Sequence, residues 1–350
     1  MSTSGESNVE YVNARVRARR GVLYSGEDYR NLVRMGTAEI ARFMEESAYD
    51  REINALGARH SGVDLVEYAL NANLARHFDD LLRWAEGPLY DQIASYLRKF
   101  DAWNVKTVMR GLYAEADRQA VEDDLIRAGE FSDDRIDAML EATSIEEVIE
   151  QLDGTLFADP LEAAFRDFDE TGLLVPLENA VDRAYYENLV GDVTYGLDRA
   201  TELYVEFLQA EIDFRNVRNA LRIARSGADI DVADYFIDGG RLFDASELQG
   251  LAGSTDELVA RIRDSPYGDQ LAAALDDLES SESLIGFERA LEAALLEYST
   301  HLSHVYPLSV CPVLAFVLSK EREVDNIRAI ARGREAGLSP EEIEEELVII

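Results

Sequence analysis

The segment Glu211-Ile-Asp-Phe-Arg-Asn-Val-Arg-Asn-Ala-Leu-Arg-Ile-Ala-Arg225 has two counterparts elsewhere in the 350-residue chain. They are Phe100-Asp-Ala-Trp-Asn-Val-Lys-Thr-Val-Met-Arg110 and Glu323-Val-Asp-Asn-Ile-Arg-Ala-Ile-Ala-Arg332. All three contain an acid, then Asn, then Val or Ile followed by Lys or Arg, and finally Arg. Their asparagines are separated by 112 and 110 residues. A fixed period of this kind indicates a repeat architecture.

Each copy has the spacing of an amphipathic helix. In the first copy Val105, Val108, Met109 and Leu112 fall on one helical face, and the other copies repeat the pattern. The three acids project onto this apolar face, the asparagines lie at its edge and the basic residues lie opposite. The nine repeat anchors are Asp101, Asn104, Arg110, Asp213, Asn216, Arg222, Glu323, Asn326 and Arg332.

An acid on an apolar face needs a partner or loses its charge. We therefore interpret the nine anchors as structural groups that orient one helix against the next. A direct role in binding a partner is the alternative, and a catalytic role is the least favoured.

Three further elements recur in the same order. Each copy of the helix is followed by a Gly or Ser turn, which predicts helix N-caps at Ser132 and Ser339. An additional Asn helix begins at Asn13 and is followed by Ser25, so we expect the first and last copies to lie side by side. The next recurring element is a spaced set of an apolar residue, Ser or Thr, and an aromatic residue: Met44, Ser47 and Tyr49; Leu152, Thr155 and Phe157; Ile262, Ser265 and Tyr267. The last recurring element contains a glutamate, at Glu67, Glu178 and Glu288.

Strand signals are few, and most segments show helical spacing. The sequence therefore predicts an all-α protein made of three tandem homologous helical domains. The expected boundaries are residues 1–112, 113–224 and 225–350.

The charge composition is strongly acidic. The chain has 34 Lys and Arg against 70 Asp and Glu, a formal net charge of −36, while 47% of its residues are hydrophobic. This composition predicts a folded protein with an acidic surface, unsuited to nucleic acid. We expect the acids to be spread along the whole chain and to reflect a salt-rich cytoplasm, because molar salt shortens the screening length to about 3 Å. A functional acidic patch is the alternative.

The sequence contains no nucleotide-binding glycine loop and no hydrolase elbow. Cys311 is the single cysteine, and His301 and His304 lack the carboxylate pattern of a helical di-metal site. We therefore predict no catalytic residue, no cofactor and no metal. The apolar segment 305–318 is too short to span a bilayer.

The recurring motifs resemble one known family. The residues that carry the resemblance are Tyr11-Val-Asn-Ala-Arg-Val-Arg, Phe100-Asp-Ala-Trp-Asn-Val-Lys, Phe214-Arg-Asn-Val-Arg and Lys320-Glu-x-Glu-x-x-Asn-Ile-Arg-x-Ile-x-Arg-Gly-Arg. With its triplication, the chain resembles the C subunits of archaeal A-type ATP synthases, which are similar to the d subunits of vacuolar ATPases.

The resemblance implies a non-catalytic part of a rotor. In that family three helical domains form a pseudo-threefold funnel that bridges the membrane proteolipid ring to the central shaft and transmits torque for ATP synthesis. The implied location is the cytoplasmic face of the membrane, held there through protein contacts. The low lysine and high acid content suit a halophilic archaeal member. An acidic helical-repeat adaptor that binds a soluble basic partner is the alternative.

Overall fold

A computed structural model describes residues 7–191, 199–226, 235–251, 254–269, 271–272, 275–276 and 285–348. Throughout these ranges the regular structure is α-helical and no strand is found. The predicted all-α class is therefore confirmed. The chain divides into two compact units. One comprises Met1–Val148 with Leu302–Ile350, and the other is Ile149–His301.

The first unit contains the two ends of the chain. Its helices are α1 (Val9–Arg20), α2 (Gly26–Leu32), α3 (Thr37–Glu45), α4 (Asp50–Leu56), α5 (Gly62–Trp84), α6 (Pro88–Leu97), α7 (Lys99–Tyr113), α8 (Arg118–Asp123), α9 (Asp133–Glu141), the start of α10 (Ile145–Gln151), α17 (Cys311–Glu335) and α18 (Pro340–Glu344).

The second unit contains the middle of the chain. Its helices are α11 (Ala158–Thr171), α12 (Val175–Gly191), α13 (Arg199–Ser226), α14 (Ala245–Leu251), α15 (Thr255–Arg263) and most of α16 (Ile285–Val305). Its core surrounds the repeat segment of α13, where Val217 and Leu221 pack with Leu258, Ile262 and Phe287.

The predicted caps start the helices that follow the repeat segments. Ser132 accepts a hydrogen bond from the Arg135 N–H at the start of α9. Ser339 caps α18 in a capping box, and Pro340 occupies the first turn. Ser25 forms a capping box with Asp28 at the start of α2. These caps satisfy N–H groups that a helix leaves unpaired at its first turn.

Helix α17 carries the last repeat copy and lies at the centre of the first unit. It packs against α5 and against α1, which contains Asn13. The first and last copies are therefore neighbours, as predicted. Asn13 nevertheless differs from the other asparagines, because its Nδ2 donates to the carbonyls of Pro307 and Ser309, both at 3.0 Å.

Candidate functional site: three buried acid and asparagine anchors

The three repeat acids are buried. The exposed fraction is 1% for Asp101 in α7, 1% for Asp213 in α13 and 2% for Glu323 in α17. The periodicity placed them on the apolar face, and the structure locates them there. Each carboxylate is then satisfied by hydrogen bonds from a turn that lies elsewhere in the chain.

Asp101 is bound by the backbone of the turn before α9. Its Oδ2 accepts from the Glu130 N–H at 2.8 Å and its Oδ1 from the Phe131 N–H at 3.1 Å. Gly129 precedes these donors, and a Cβ built there would lie 2.0 Å from Asp101 Oδ1. The close approach of the turn therefore requires glycine at residue 129.

Asp213 repeats this arrangement in the second unit. Its Oδ1 accepts from the Arg241 and Leu242 N–H groups, both at 2.8 Å. Its Oδ2 accepts from the Tyr267 hydroxyl at 3.0 Å. A Cβ at Gly240 would lie 2.3 Å from Asp213 Oδ1. The equivalent glycine therefore serves the same purpose in both turns.

Glu323 uses other partners. Its Oε2 accepts from the Tyr24 N–H at 2.5 Å, in the turn before α2. Its Oε1 accepts from the Tyr49 hydroxyl at 2.8 Å and from Lys320 Nζ at 2.7 Å. Lys320 is 1% exposed, and its Nζ lies 4.1 Å from the centre of the Tyr49 ring. This anchor therefore joins α17 to two N-terminal segments through the hydrogen bonds from Tyr24 and Tyr49, while its buried ion pair with Lys320 lies within α17.

The asparagines pair reciprocally with a backbone amide. Asn326 Nδ2 donates to the Val348 carbonyl at 2.8 Å, and its Oδ1 accepts from the Val348 N–H at 3.0 Å. Asn104 makes the same pair with Ile126, and Asn216 makes it with Ile237. Each side chain thereby satisfies both polar groups of a buried peptide segment.

The asparagines are more buried than the periodicity indicated. That pattern placed them at the edge of the apolar face, whereas their exposed fractions are 0%, 1% and 3% for Asn104, Asn216 and Asn326. The difference arises because the paired backbone segment, 21 or 22 residues further along the chain, covers each asparagine.

Two of the repeat arginines bind the recurring glutamates. Arg222 donates to both carboxylate oxygens of Glu288, at 2.6 and 2.7 Å. Arg332 makes the same two-bond contact with Glu67. The sequence showed both residue sets as periodic but did not show that they pair. Arg110, the third repeat arginine, is exposed like the other two.

A third recurring element forms one turn three times. Ser47 Oγ donates to the Met44 carbonyl at 2.7 Å, and Thr155 and Ser265 make the equivalent bond to Leu152 and Ile262. The hydroxyl oxygen then accepts from the N–H of the residue two positions later, which is Tyr49, Phe157 or Tyr267. Tyr49 and Tyr267 are the aromatic residues whose hydroxyls reach Glu323 and Asp213. The sequence pattern did not reveal this use.

The environment shifts the ionisation of these groups. Burial raises the pKa of Asp101 to about 7, although the N–H groups of Glu130 and Phe131 oppose the shift. Burial also raises the pKa of Asp213, against the N–H groups of Leu242 and Arg241. Burial lowers the pKa of Lys320, against the attraction of Glu323. The protonation of these buried groups is therefore coupled to the free energy of folding.

The arrangement is suited to fixing helices in register. The carboxylate oxygens of the three acids accept hydrogen bonds from backbone N–H groups, tyrosines and a buried lysine of their own unit. Among the described residues, no group of three or more His, Cys, Asp or Glu could hold a metal ion. None of the helices in those ranges is both long enough and apolar enough to cross a membrane.

Comparison with known proteins agrees with the resemblance seen in the motifs. The family model for the ATP synthase (C/AC39) subunit matches residues 12–346. A protein from Haloferax volcanii, named as the C subunit of an A-type ATP synthase, is 67% identical over 350 residues, covering all of both chains. Proteins of the same name from Haloquadratum walsbyi and Methanococcoides burtonii are 64% and 35% identical. They cover 99% of this chain, and the matches span 100% and 96% of their own lengths.

Proposed function

The chain belongs to the ATP synthase (C/AC39) subunit family, and from this premise we propose that it is a non-catalytic part of the central rotor of an A-type, proton-translocating ATP synthase. In this role it bridges the membrane proteolipid ring to the central shaft and transmits torque for ATP synthesis. The match of the family along nearly the whole chain carries the proposal.

The buried anchors support a mechanical role. A part that transmits torque needs helices that do not slide against their neighbours. Glu323 binds Tyr24 and Tyr49, which are 299 and 274 residues away in the chain, and Asn326 binds Val348 in the same unit. Hydrogen bonds and ion pairs that are shielded from water are costly to break. The buried hydrogen bonds of Glu323 and Asn326 therefore favour a first unit whose helices keep their positions.

The proposed location is the cytoplasmic face of the cell membrane, where the chain is held by protein contacts. The proteolipid ring and the shaft proteins are the proposed partners. The three-domain boundaries at residues 112/113 and 224/225 and the pseudo-threefold funnel are part of the same proposal.

Co-isolation tests this proposal. An affinity tag on the chain should recover ring and shaft proteins from detergent-solubilised membranes in molar KCl. Tagging an unrelated acidic protein from the same cells provides the control. Recovery of the chain only in soluble complexes that lack both kinds of protein would favour the adaptor alternative and contradict the rotor assignment.

A further inference from the structure

The acidic charge is unevenly distributed, contrary to the expectation from overall composition. Residues 1–60 contain nine arginines and nine acidic residues, whereas residues 61–350 contain 25 basic and 61 acidic residues. Four of the nine arginines are on helix α1, at positions 15, 17, 19 and 20. The N-terminal helix is therefore basic in a strongly acidic protein.

The outward side of α1 presents two arginines that have no carboxylate partner. Val12 and Val16 face the core, while Arg15 and Arg17 are exposed. The Arg15 guanidinium lies 4.7 Å from the Tyr11 ring centre, and Arg17 Nη2 donates to the Pro307 carbonyl at 3.4 Å. In contrast to Arg19, which pairs with Asp80, neither arginine has a carboxylate oxygen within 4.0 Å among the described residues.

Apolar groups lie beside these arginines. The carbonyl of Pro307 is held by Asn13 and Arg17, which brings the next residue, Leu308, next to α1. Leu308 is 63% exposed and Tyr11 is 48% exposed. Ala14 and Ala18 are also exposed between the two arginines, because they project from the middle of the outward side of the helix. We call this surface the α1 face, and its residues are Tyr11, Ala14, Arg15, Arg17, Ala18 and Leu308. The exposed acid Glu10, in the first turn of α1, lies at its N-terminal edge.

We propose that the α1 face binds a carboxylate-rich helical segment of a protein partner. Tyrosine and arginine are enriched at protein interfaces, where they supply much of the binding energy. The small side chains of Ala14 and Ala18 allow another helix to approach closely, and the two arginines on either side match acidic side chains. The inference rests on the proposed function, because the partner is then another subunit of the same ATP synthase.

A protein surface fits the α1 face better than a lipid surface does. A helix that lies on a membrane needs a broad apolar side to insert below the headgroups. The apolar residues Val12 and Val16 of α1 are 0% exposed, because they pack into the first unit. The exposed apolar groups of the face, Tyr11 and Leu308, form no broad apolar side, and the two arginines with the small alanines between them suit an acidic helix.

Charge reversal tests the proposal in the assembled complex. The double variant Arg15→Glu/Arg17→Glu should reduce recovery of at least one ATP synthase subunit by about tenfold, because it places like charges opposite each other. Arg59→Glu/Arg166→Glu is the matched control. Both control arginines are exposed and have no carboxylate within 4.0 Å among the described residues. The control changes the net charge equally and should leave recovery unchanged.

Leu308→Asp provides a second variant outside the helix and should also reduce recovery of the same subunit. Circular dichroism should give the same helix content for all variants as for the unaltered chain. Equal recovery by the Arg15/Arg17 variant and the unaltered chain would overturn the inference and leave the proposed function standing. Failure of the unaltered chain to recover any synthase subunit would overturn the proposed function.

Vesicles of phosphatidylglycerol test the lipid alternative. The purified chain should not float with these vesicles in molar KCl. Flotation that is lost in the Arg15→Glu/Arg17→Glu variant would assign the α1 face to anionic lipid and contradict the proposal.

Discussion

Asp101 and Glu323 occupy the same repeat position, yet different groups satisfy their carboxylates. Asp101 accepts hydrogen bonds from two backbone N–H groups after Gly129. Glu323 accepts from one backbone N–H, a tyrosine and Lys320. Both turns place their last donor directly before a serine N-cap.

The turn residues explain the difference. Three residues before its serine cap, the Asp101 turn has Gly129, and the Glu323 turn has Val22. Glycine lets the backbone approach a short acid closely, whereas the other turn is matched with an acid that is one methylene longer and a buried lysine. Two copies of the repeat can therefore have an acid at the same position, while only one of them pairs that acid with a buried positive charge.

The largest expected effect is at the ion pair. Glu323→Ala leaves Lys320 buried without an opposite charge, and we expect a loss of about 3–5 kcal/mol in the free energy of unfolding. Urea unfolding in molar KCl, followed by circular dichroism, measures this loss. The double variant Lys320→Met/Glu323→Gln removes both charges and should be less destabilised. A loss of under about 1 kcal/mol for Glu323→Ala would show that the buried ion pair does not set the Glu323 anchor apart from the Asp101 anchor.

The Asp101 anchor should instead produce a pH dependence. Its pKa is about 7 in the folded state against an ordinary value of 3.8, because of burial. The folded state therefore binds this proton more tightly than the unfolded chain does. Its contribution to stability is fully present below pH 3.8 and is lost as the pH rises through about 7, by up to about 4 kcal/mol.

Asp101→Asn provides the comparison for that pH dependence. The amide cannot lose the proton, so the variant should show a smaller decrease in the free energy of unfolding between pH 4 and pH 8. Asp134→Asn is the control, because Asp134 is exposed in the first turn of α9. Identical pH profiles for Asp101→Asn and the unaltered chain would exclude Asp101 as the titrating group.

A smaller loss in the free energy of unfolding is expected at the asparagines, which bind the backbone in the same way in the Asp101 and Glu323 copies of the repeat. Asn326→Ala leaves the buried N–H and C=O of Val348 without partners and should cost about 2–3 kcal/mol. Amide hydrogen exchange at Val348 should become faster. Asn54→Ala is the control, because Asn54 bonds to Asp50 at an exposed site. Unchanged exchange at Val348 would contradict the role of Asn326 as a backbone clamp.

The smallest effect is expected at the surface pair. Arg332 contacts Glu67 through two hydrogen bonds, but 59% of its side chain is exposed. Because water screens exposed ion pairs, Arg332→Ala should cost about 0.5 kcal/mol. Arg222→Ala should behave alike, since Arg222 is 57% exposed in its pair with Glu288. If either arginine variant melted at a temperature as low as that of Glu323→Ala, these exposed pairs would contribute as much to stability as the buried ion pair.

Local periodicity predicted part of these sites. The helical class and the inward direction of Asp101, Asp213 and Glu323 follow from spacing within a few turns of helix. The partner of each anchor does not follow, because it comes from another part of the chain. Tyr49 is 274 residues from Glu323, and no helical spacing links them. The depth of Asn326 depends similarly on a segment that arrives 22 residues later.

Net charge was also a poor guide to local surfaces. The overall value of −36 suggested an evenly acidic protein. That value gave no sign of the basic helix α1, where exposed arginines contact Tyr11 and Pro307 rather than acids. Such a surface becomes visible only when charge, exposure and contact partners are known together.

ATP synthesis driven by an imposed proton gradient tests the rotor assignment most directly. The measurement uses inverted membrane vesicles depleted of the chain and then supplied with the purified protein in molar KCl. We predict that depleted vesicles make little ATP and that the added chain restores synthesis. Full synthesis in vesicles that lack the chain would contradict a role in transmitting torque.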